Sequence, residues 1–599
     1  MLNKYTNKIS RGLKFLKYAY DGYRWQIIVI TILGFIGGLT GGLGIGMLIP
    51  LFSFVAGEGN TYIPNTFQHF LKGFFAFFHL GLSLPLILVL MVVLFVIKAA
   101  VSVLVDYISE KVSAQYLKNI SSSLFNKTLM ADWPFLINQK VGHLDRIISG
   151  DASCAASILR TSSNMMLQIT SLITYTFIAF KISAPIALLS LIFGGLILLL
   201  FKPFFYKLRQ LSMELGNTTK DVSHHINESL IGIKTLKAFG AEKAVASKSY
   251  SYFEILRKIQ LRTLFLSGVK GTLFEPASLI FISILFAYSY KIPGFDVASF
   301  AVIVYLIQKM FSFIQGIQSK LDNLNSAFPR LKSMLIYQTK LEEHQEKYSG
   351  DQPFEFKDAL TAQGVSFSYP GTEFNVLDNI SFSVKKGEMI GIIGPSGAGK
   401  TTLVDILLRL FKPQNGSIKI DGADISSIIL DDWRRNIGYV SQDVFLLNDT
   451  VEGNIRLYDS SVSQADVEQA AKMANIYTFI QELPDKFETS VGERGVKLSG
   501  GQRQRISLAR VLAKKPAILI LDEATSALDN ESEAMIQKAI NDLKGKITVL
   551  VIAHRLSTVM NSDKLIVLNK GNIVETGTPD ELIQRPDSYL YKSYHAVKS

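Results

Sequence analysis

Cysteine is almost absent, with Cys154 the only one in 599 residues. That excludes an intrachain disulfide and any cysteine-rich metal site, and the lone thiol reads as a small buried hydrophobe. Acidic residues are also short, 50 against 62 basic ones, which leaves a formal charge of +12. Such an excess can serve nucleic acid, but the basic residues here sit mostly beside apolar runs. That placement favours an anionic membrane surface and points to no nucleic-acid partner. A cleavable signal peptide is missing too, because the apolar run after the basic opening is too long for one.

What is present divides the chain in two. Up to about residue 320 the sequence carries long apolar runs; beyond about 355 it reads as a soluble α/β domain. The opening residues 1–25 interleave Lys4, Lys8, Arg11, Lys14, Lys17 and Arg24 with Leu13, Phe15, Leu16 and Tyr18. This pattern predicts a basic amphipathic helix on the membrane surface and a cytoplasmic N-terminus. Residues 26–325 hold six segments long enough to span, near 26–55, 83–108, 163–181, 184–204, 264–290 and 296–318. The third and fourth are split only by Lys181-Ile182-Ser183, the fifth and sixth by the turn Lys291 to Gly294. The internal links, about 109–162 and 205–263, are charged and helical in pattern, so helices should continue well past the bilayer. Each has a break suited to a short transverse helix that docks on the domain that follows, at Asp132 to Phe135 with Pro134, and at Glu228 to Phe239 with Gly232. Residues 326–354 read as a linker to a domain at 355–599.

The strand-like run Met389 to Ile393 leads into Gly394-Pro395-Ser396-Gly397-Ala398-Gly399-Lys400-Thr401-Thr402 and then a helical run. This is the phosphate-binding pattern G-x-x-x-x-G-K-T between strand and helix. Glycines let backbone N–H groups turn onto ATP phosphates at the positive end of the helix. Lys400 reaches the β- and γ-phosphates, and the Thr401 hydroxyl meets Mg²⁺. A second buried strand, Ile518 to Leu521, delivers Asp522 and Glu523 to the sheet's C-terminal edge. Asp522 would hold Mg²⁺ through its water shell, and Glu523 would polarise the attacking water.

Between these lies Leu498-Ser499-Gly500-Gly501-Gln502, and here the chain resembles the ATP-binding-cassette family, whose signature this pentapeptide is. Tyr369 matches the aromatic that stacks on adenine. Gln442 matches the residue joining Mg²⁺ to the membrane-domain contact, Thr489 to Glu493 the exporter-type loop, Ser526 to Asp529 the dimer-contact loop, and His554 the γ-phosphate sensor. The resemblance implies that Ser499, Gly500, Gly501 and Gln502 of one chain cap the ATP held by Lys400 of another. Six spans ahead of one cassette look like an exporter-type half-transporter. The implied fold is an all-α six-helix membrane domain followed by an α/β P-loop nucleotide-binding domain, in the plasma membrane of a bacterium with the ATPase cytoplasmic. Every catalytic position is intact, so a homodimer with two working sites is the simplest arrangement; a heterodimer with a defective partner stays open.

For the cargo, charged groups within the spans carry the reading, since each costs about 2.5–3.5 kcal/mol at mid-membrane. Lys98, Lys270 and Lys309 are candidate cavity cations, with Glu275 nearby in sequence; snorkelling or cytoplasmic placement is the alternative. Phe67 to Phe78 make an apolar external stretch suited to a lipid tail, or to a plain interfacial anchor. Together these features are similar to bacterial flippases of lipid-linked oligosaccharides, which implies an amphipathic, anionic lipid substrate. A multidrug or peptide exporter is the alternative, and an ATP-gated channel or regulatory protein the reading from another class. Intact Glu523 and His554 argue for turnover over gating. The six spans exclude a soluble DNA-associated cassette.

Overall fold

The computed structural model describes residues 21–48, 51, 83–139, 141–291, 297–346, 350–372, 374–523, 529–553 and 555–598. Of the features expected above, residues 1–20, the aromatic stretch 67–78, the turn after Lys291, Ser526 to Leu528 and His554 lie outside them, as does the side chain of Lys270. The chain forms two compact units: one from residues up to Ala131 and Ile137–Gln345, the other from Asp132–Leu136 and Glu346 onward.

The first unit is all helix. Its long members are α1 (Arg24–Gly46), α2 (Leu84–Leu129), α3 (Ala152–Ile182), α4 (Ala184–Leu200), α5 (Lys202–Ile231), α6 (Glu242–Thr272), α7 (Phe274–Ser289) and α8 (Val297–Glu343). The expected spans fall on α1, α2, α3, α4, α7 and α8. Among the described residues α1, α2, α4 with its continuation, and α8 are long and apolar enough to cross a membrane, and α7 is a shorter apolar helix. In α3 the run is tempered by Thr170, Ser171 and Thr174, which are buried. The hydroxyls of Thr170 and Thr174 donate to carbonyls one turn back, so these residues sit inside a helix bundle without an unmet donor.

Small residues let these helices approach. Gly34 of α1 lies against Leu167 and Thr170 of α3, and Gly38 against Ser171 and Thr174. In lipid, where apolar surface gains little from leaving its solvent, such close backbone packing holds helices together. The 46 residues of α2 form one unbroken helix, about 70 Å long and well beyond a bilayer's thickness. The expected breaks are present. Trp133–Leu136 is a four-residue helix with Pro134 in its first turn, where no N–H is needed. Gly232 separates α5 from the six-residue helix Ile233–Ala238. The stretch 326–354, expected as a linker, is helical as far as Glu343, because α8 runs on past Pro329.

The second unit has strands β1 (Ala359–Phe367), β2 (Leu377–Lys385), β3 (Met389–Ile393), β4 (Asn415–Ile420), β5 (Ala423–Asp424), β6 (Ile437–Val440), β7 (Ile518–Asp522), β8 (Thr548–Ile552), β9 (Lys564–Asn569) and β10 (Asn572–Gly577). A four-stranded antiparallel sheet has order β2-β1-β4-β5, and a six-stranded sheet has order β10-β9-β3-β8-β7-β6. In the larger sheet β3, β6, β7, β8 and β9 pair in parallel. Every residue of β3, β7 and β8 is buried, as a sheet covered on both faces requires. Three helices position the site: α9 (Lys400–Leu407) after β3, α10 (Gly500–Leu512) before β7, and α11 (Asn530–Leu543) after it.

Candidate functional site

The loop from β3 to α9 turns on glycines that other residues could not replace. Gly399 has φ of 101°, and a Cβ there would meet the Val376 carbonyl at 2.9 Å. Gly397, with φ of 77°, supplies the second left-handed turn. The Lys400 side chain is drawn back into this loop and 5% exposed, its Nζ donating to the carbonyls of Gly394 at 2.9 Å and Pro395 at 3.1 Å. Burial lowers its pKa, and the carboxylates of Glu523 and Asp522 act in the opposite sense. Those two carboxylates are therefore electrostatic neighbours of the lysine, as the strand-end argument requires.

Asp522 is 4% exposed at the end of β7. The Tyr439 hydroxyl donates to its carboxylate, and burial with the two nearby carboxylates raises the Tyr439 pKa. Asp405 of α9 is pushed up to about 6, first by burial and then by Asp522. Glu523 follows in the left-handed region, φ 49°, a conformation uncommon for a residue with a side chain. Its Oε2 accepts a 2.7 Å hydrogen bond from Gln442 Nε2, which leaves the amide oxygen of Gln442 free to face a cation. Tyr369 packs edge-on against Phe367 and Phe411, and its hydroxyl lies 3.0 Å from Thr402 Oγ1.

Mg²⁺ is a hard cation that takes one or two carboxylates and completes its shell with phosphates and water. The donors here, buried Asp522 with the oxygens of Thr401 and Gln442, fit that ion only together with a nucleotide. Among the described residues no group of three or more acidic, histidine or cysteine side chains would hold a metal alone.

The signature residues stand at the start of α10. Ser499 caps that helix, its N–H donating to Gln502 Oε1 at 2.8 Å while its Oγ accepts from Gln502 N at 3.2 Å. Gly501 packs against Ser532, where a Cβ would collide. Ser499 itself is exposed. Asp529, last of the expected dimer-contact loop, caps α11 by accepting from Ser532 N at 3.0 Å, which holds its carboxyl below the usual range.

Within the helical unit two of the expected cavity cations come together. Lys98 Nζ of α2 donates to the Tyr175 hydroxyl of α3 at 3.4 Å and lies 5.9 Å from the ring centroids of both Tyr175 and Phe95. Lys309 of α8 sits over Tyr305 at 5.5 Å and is the neighbouring charge that Lys98 feels. Tyr175 is 1% exposed and packs edge-on with Phe313, 5.2 Å away. The lysine stem crosses α1 at Gly41, where a Cβ would meet its Cδ at 2.8 Å. Neither lysine has an ion-pair partner among the described residues. Lys270 is on α6, two residues before its last, and Glu275 is exposed in the first turn of α7.

Sequence reasoning missed Tyr175, Tyr305 and Gly41 in this cluster, and Asp405 and Tyr439 beside Asp522. Tyr305 was within reach of it, one helical turn before Lys309.

The family model described as ABC transporter matches residues 377–526, and that described as ABC transporter transmembrane region matches 47–315. A Staphylococcus aureus protein (strain NCTC 8325), provisionally named a multidrug export ATP-binding/permease protein, is 33% identical over 588 residues, 97% of this chain and 98% of its own. Its counterpart in strain bovine RF122 is 32% identical over the same share of each. Among solved structures, a bacterial Atm1-family ABC exporter with ATP bound aligns with a TM-score of 0.78 at 23% identity, over 96% of this chain and 100% of that one.

Proposed function

Because this chain belongs to the ABC transporter family, as a membrane exporter whose cassette couples ATP hydrolysis to transport, we propose that two identical copies form the working unit and that they export an amphipathic anion. In that unit Lys400 and the loop 394–402 hold ATP, with Tyr369 against the adenine. Ser499, Gly500, Gly501 and Gln502 of the other copy close over the γ-phosphate, and His554 contacts it. Glu523 takes a proton from the attacking water while Gln442 holds its carboxylate in place. Thr401, Asp522 and Gln442 would hold Mg²⁺, which supplies charge neutralisation at the β- and γ-phosphates.

Two features support a second copy. The signature side chains sit at the head of α10 and the phosphate loop at the head of α9, so each copy offers the two halves on different elements. The tip between α5 and α6 leaves Ile231 78% and Phe239 82% exposed, an apolar end suited to a partner surface.

The cargo reading rests on the Lys98–Lys309 cluster. Two ammonium groups held by aromatic faces, with no acidic partner among the described residues, favour a ligand that brings negative charge. The rings of Phe95, Tyr175, Tyr305 and Phe313 suit its apolar part. A lipid with an anionic headgroup meets both demands. A multidrug exporter is the second reading, favoured by the names of the staphylococcal relatives and by the same aromatic walls. The two separate in an ATPase-stimulation assay in lipid. Anionic amphiphiles should stimulate the wild type several-fold, and Lys98→Ala with Lys309→Ala should abolish that response while sparing basal hydrolysis. Equal stimulation by cationic drugs that survives the double substitution would favour the multidrug reading.

A further inference from the structure

A second polar cluster lies in the helical unit, well away from the Lys98–Lys309 cluster. An open cavity of about 360 Å³ is lined by Gln139, His143, Lys332, Ser333, Tyr337 and Lys340. Lys332 and Lys340 project from one face of α8, two turns apart. Arg146 Nη2 lies 3.1 Å from His143 Nδ1. A guanidinium can only donate, so Nδ1 accepts and the imidazole proton sits on Nε2, where it can be offered to a ligand. The Nε of Arg146 is buried and has no partner. Tyr337 is fixed differently: Thr128 spends its proton on the Leu124 carbonyl at 2.7 Å, so the Tyr337 hydroxyl donates to Thr128, 3.0 Å away. It is a wall, and the donors the cavity offers a ligand are Lys332, Lys340, His143 and Ser333.

The local charge is one-sided. Besides burial, Arg146, Lys220 and Lys340 all lower the His143 pKa, and Asp151 is the one carboxylate that acts against them. Asp151 is itself shared among Arg146, Arg330, Lys220 and His143. The nearby Glu342 is engaged by Lys127 at 2.5 Å. A cluster of cations with so little compensation favours an anion of more than one charge.

Position decides where that anion comes from. Along the unbroken α2, Thr128 is thirty residues beyond Lys98, about 45 Å at 1.5 Å per residue. Headgroups end only about 20–22 Å from the bilayer midplane. The cavity therefore stands some 20 Å clear of the lipid, on the cytoplasmic side.

We propose that this cavity binds a soluble phosphate-bearing anion of the cytosol, held by Lys332, Lys340 and the Nε2–H of His143. Bound there, it joins α8 to the connection between α2 and α3, which sets how those helix ends move together.

The test uses the full chain carrying Lys400→Ala, to weaken phosphate binding at the ATP site, in nanodiscs of zwitterionic lipid. Titration calorimetry with inorganic pyrophosphate should show one site per chain. Adding Lys332→Ala and Lys340→Ala should weaken it at least tenfold, and Ser333→Asp, a milder change, should do the same. With Lys400 intact these variants should keep basal ATPase, which shows that they fold. Absence of binding in the Lys400→Ala chain, or binding indifferent to all three substitutions, overturns the proposal. Displacement of pyrophosphate when the nanodiscs contain phosphatidylglycerol overturns the soluble source and assigns the cavity to a lipid headgroup.

Discussion

At Glu523 one bond separates binding from turnover. The carboxylate is aimed by a left-handed backbone and by Gln442. Glu523→Gln should therefore retain ATP affinity within a few-fold and lower hydrolysis by at least 10²-fold, the scale of a lost general base. Nucleotide binding and steady-state ATPase on the same preparation check this, and near-normal turnover would remove Glu523 from the role. Gly41 makes a quieter claim. Replacing it by alanine is favourable for an isolated helix by up to about 1 kcal/mol, but the new methyl occupies the path of the Lys98 stem. Gly41→Ala should thus leave the melting temperature within a few degrees and basal ATPase intact, while reducing stimulation by anionic amphiphiles several-fold. Asp405 predicts a pH effect. Its pKa is raised from 3.8 to about 6, so the folded state holds the proton more tightly than the unfolded one. The stability this provides is complete below about pH 4 and lost as pH rises through about 6. Asp405→Asn should then raise the stability of the nucleotide-free protein by about 1–3 kcal/mol at pH 8 and change it little at pH 4–5, measured as thermal midpoints at the two pH values.

At the scale of elements, the phosphate loop, β7 and the start of α10 were legible in the sequence because each is a local pattern. Fixed glycines, four apolar residues before two acids, and Ser499 three residues before Gln502 each encode their own backbone. The breaks at Pro134 and Gly232 were legible for the same reason. The end of α8 was not: its last turns are polar, and a helix that leaves the membrane loses the apolar run by which a span is recognised. Lys98 and Tyr175 were further out of reach, since 77 positions separate them and only the packing of α1, α2 and α3 brings them together. Tyr439 is likewise delivered to Asp522 by the neighbouring of β6 and β7 in the sheet, a pairing that no spacing in the chain announces.

At the scale of the whole molecule, the shared-site proposal has a direct genetic form. A chain with Lys400→Ala lacks the phosphate lysine, and a chain with Ser499→Arg has a blocked signature; neither should hydrolyse ATP when alone. If the signature acts across the dimer, a mixed assembly of the two retains one composite site that is intact. Co-purified through different affinity tags, it should recover a substantial part of one site's ATPase, and complete inactivity would place both motifs on the same nucleotide.

The unbroken length of α2 has a mechanical consequence. A helix of some 70 Å with no glycine, and with its one proline, Pro85, confined to the first turn, behaves as a stiff lever, with Lys98 about a third of the way along and Thr128 at its far end. A swing of about 10° at its cytoplasmic end carries the lysine ammonium sideways by roughly 8 Å over that 45 Å arm. The charge can then be taken away from a bound headgroup without any rearrangement of the residues around it, so release becomes a matter of angle and not of affinity tuned side chain by side chain.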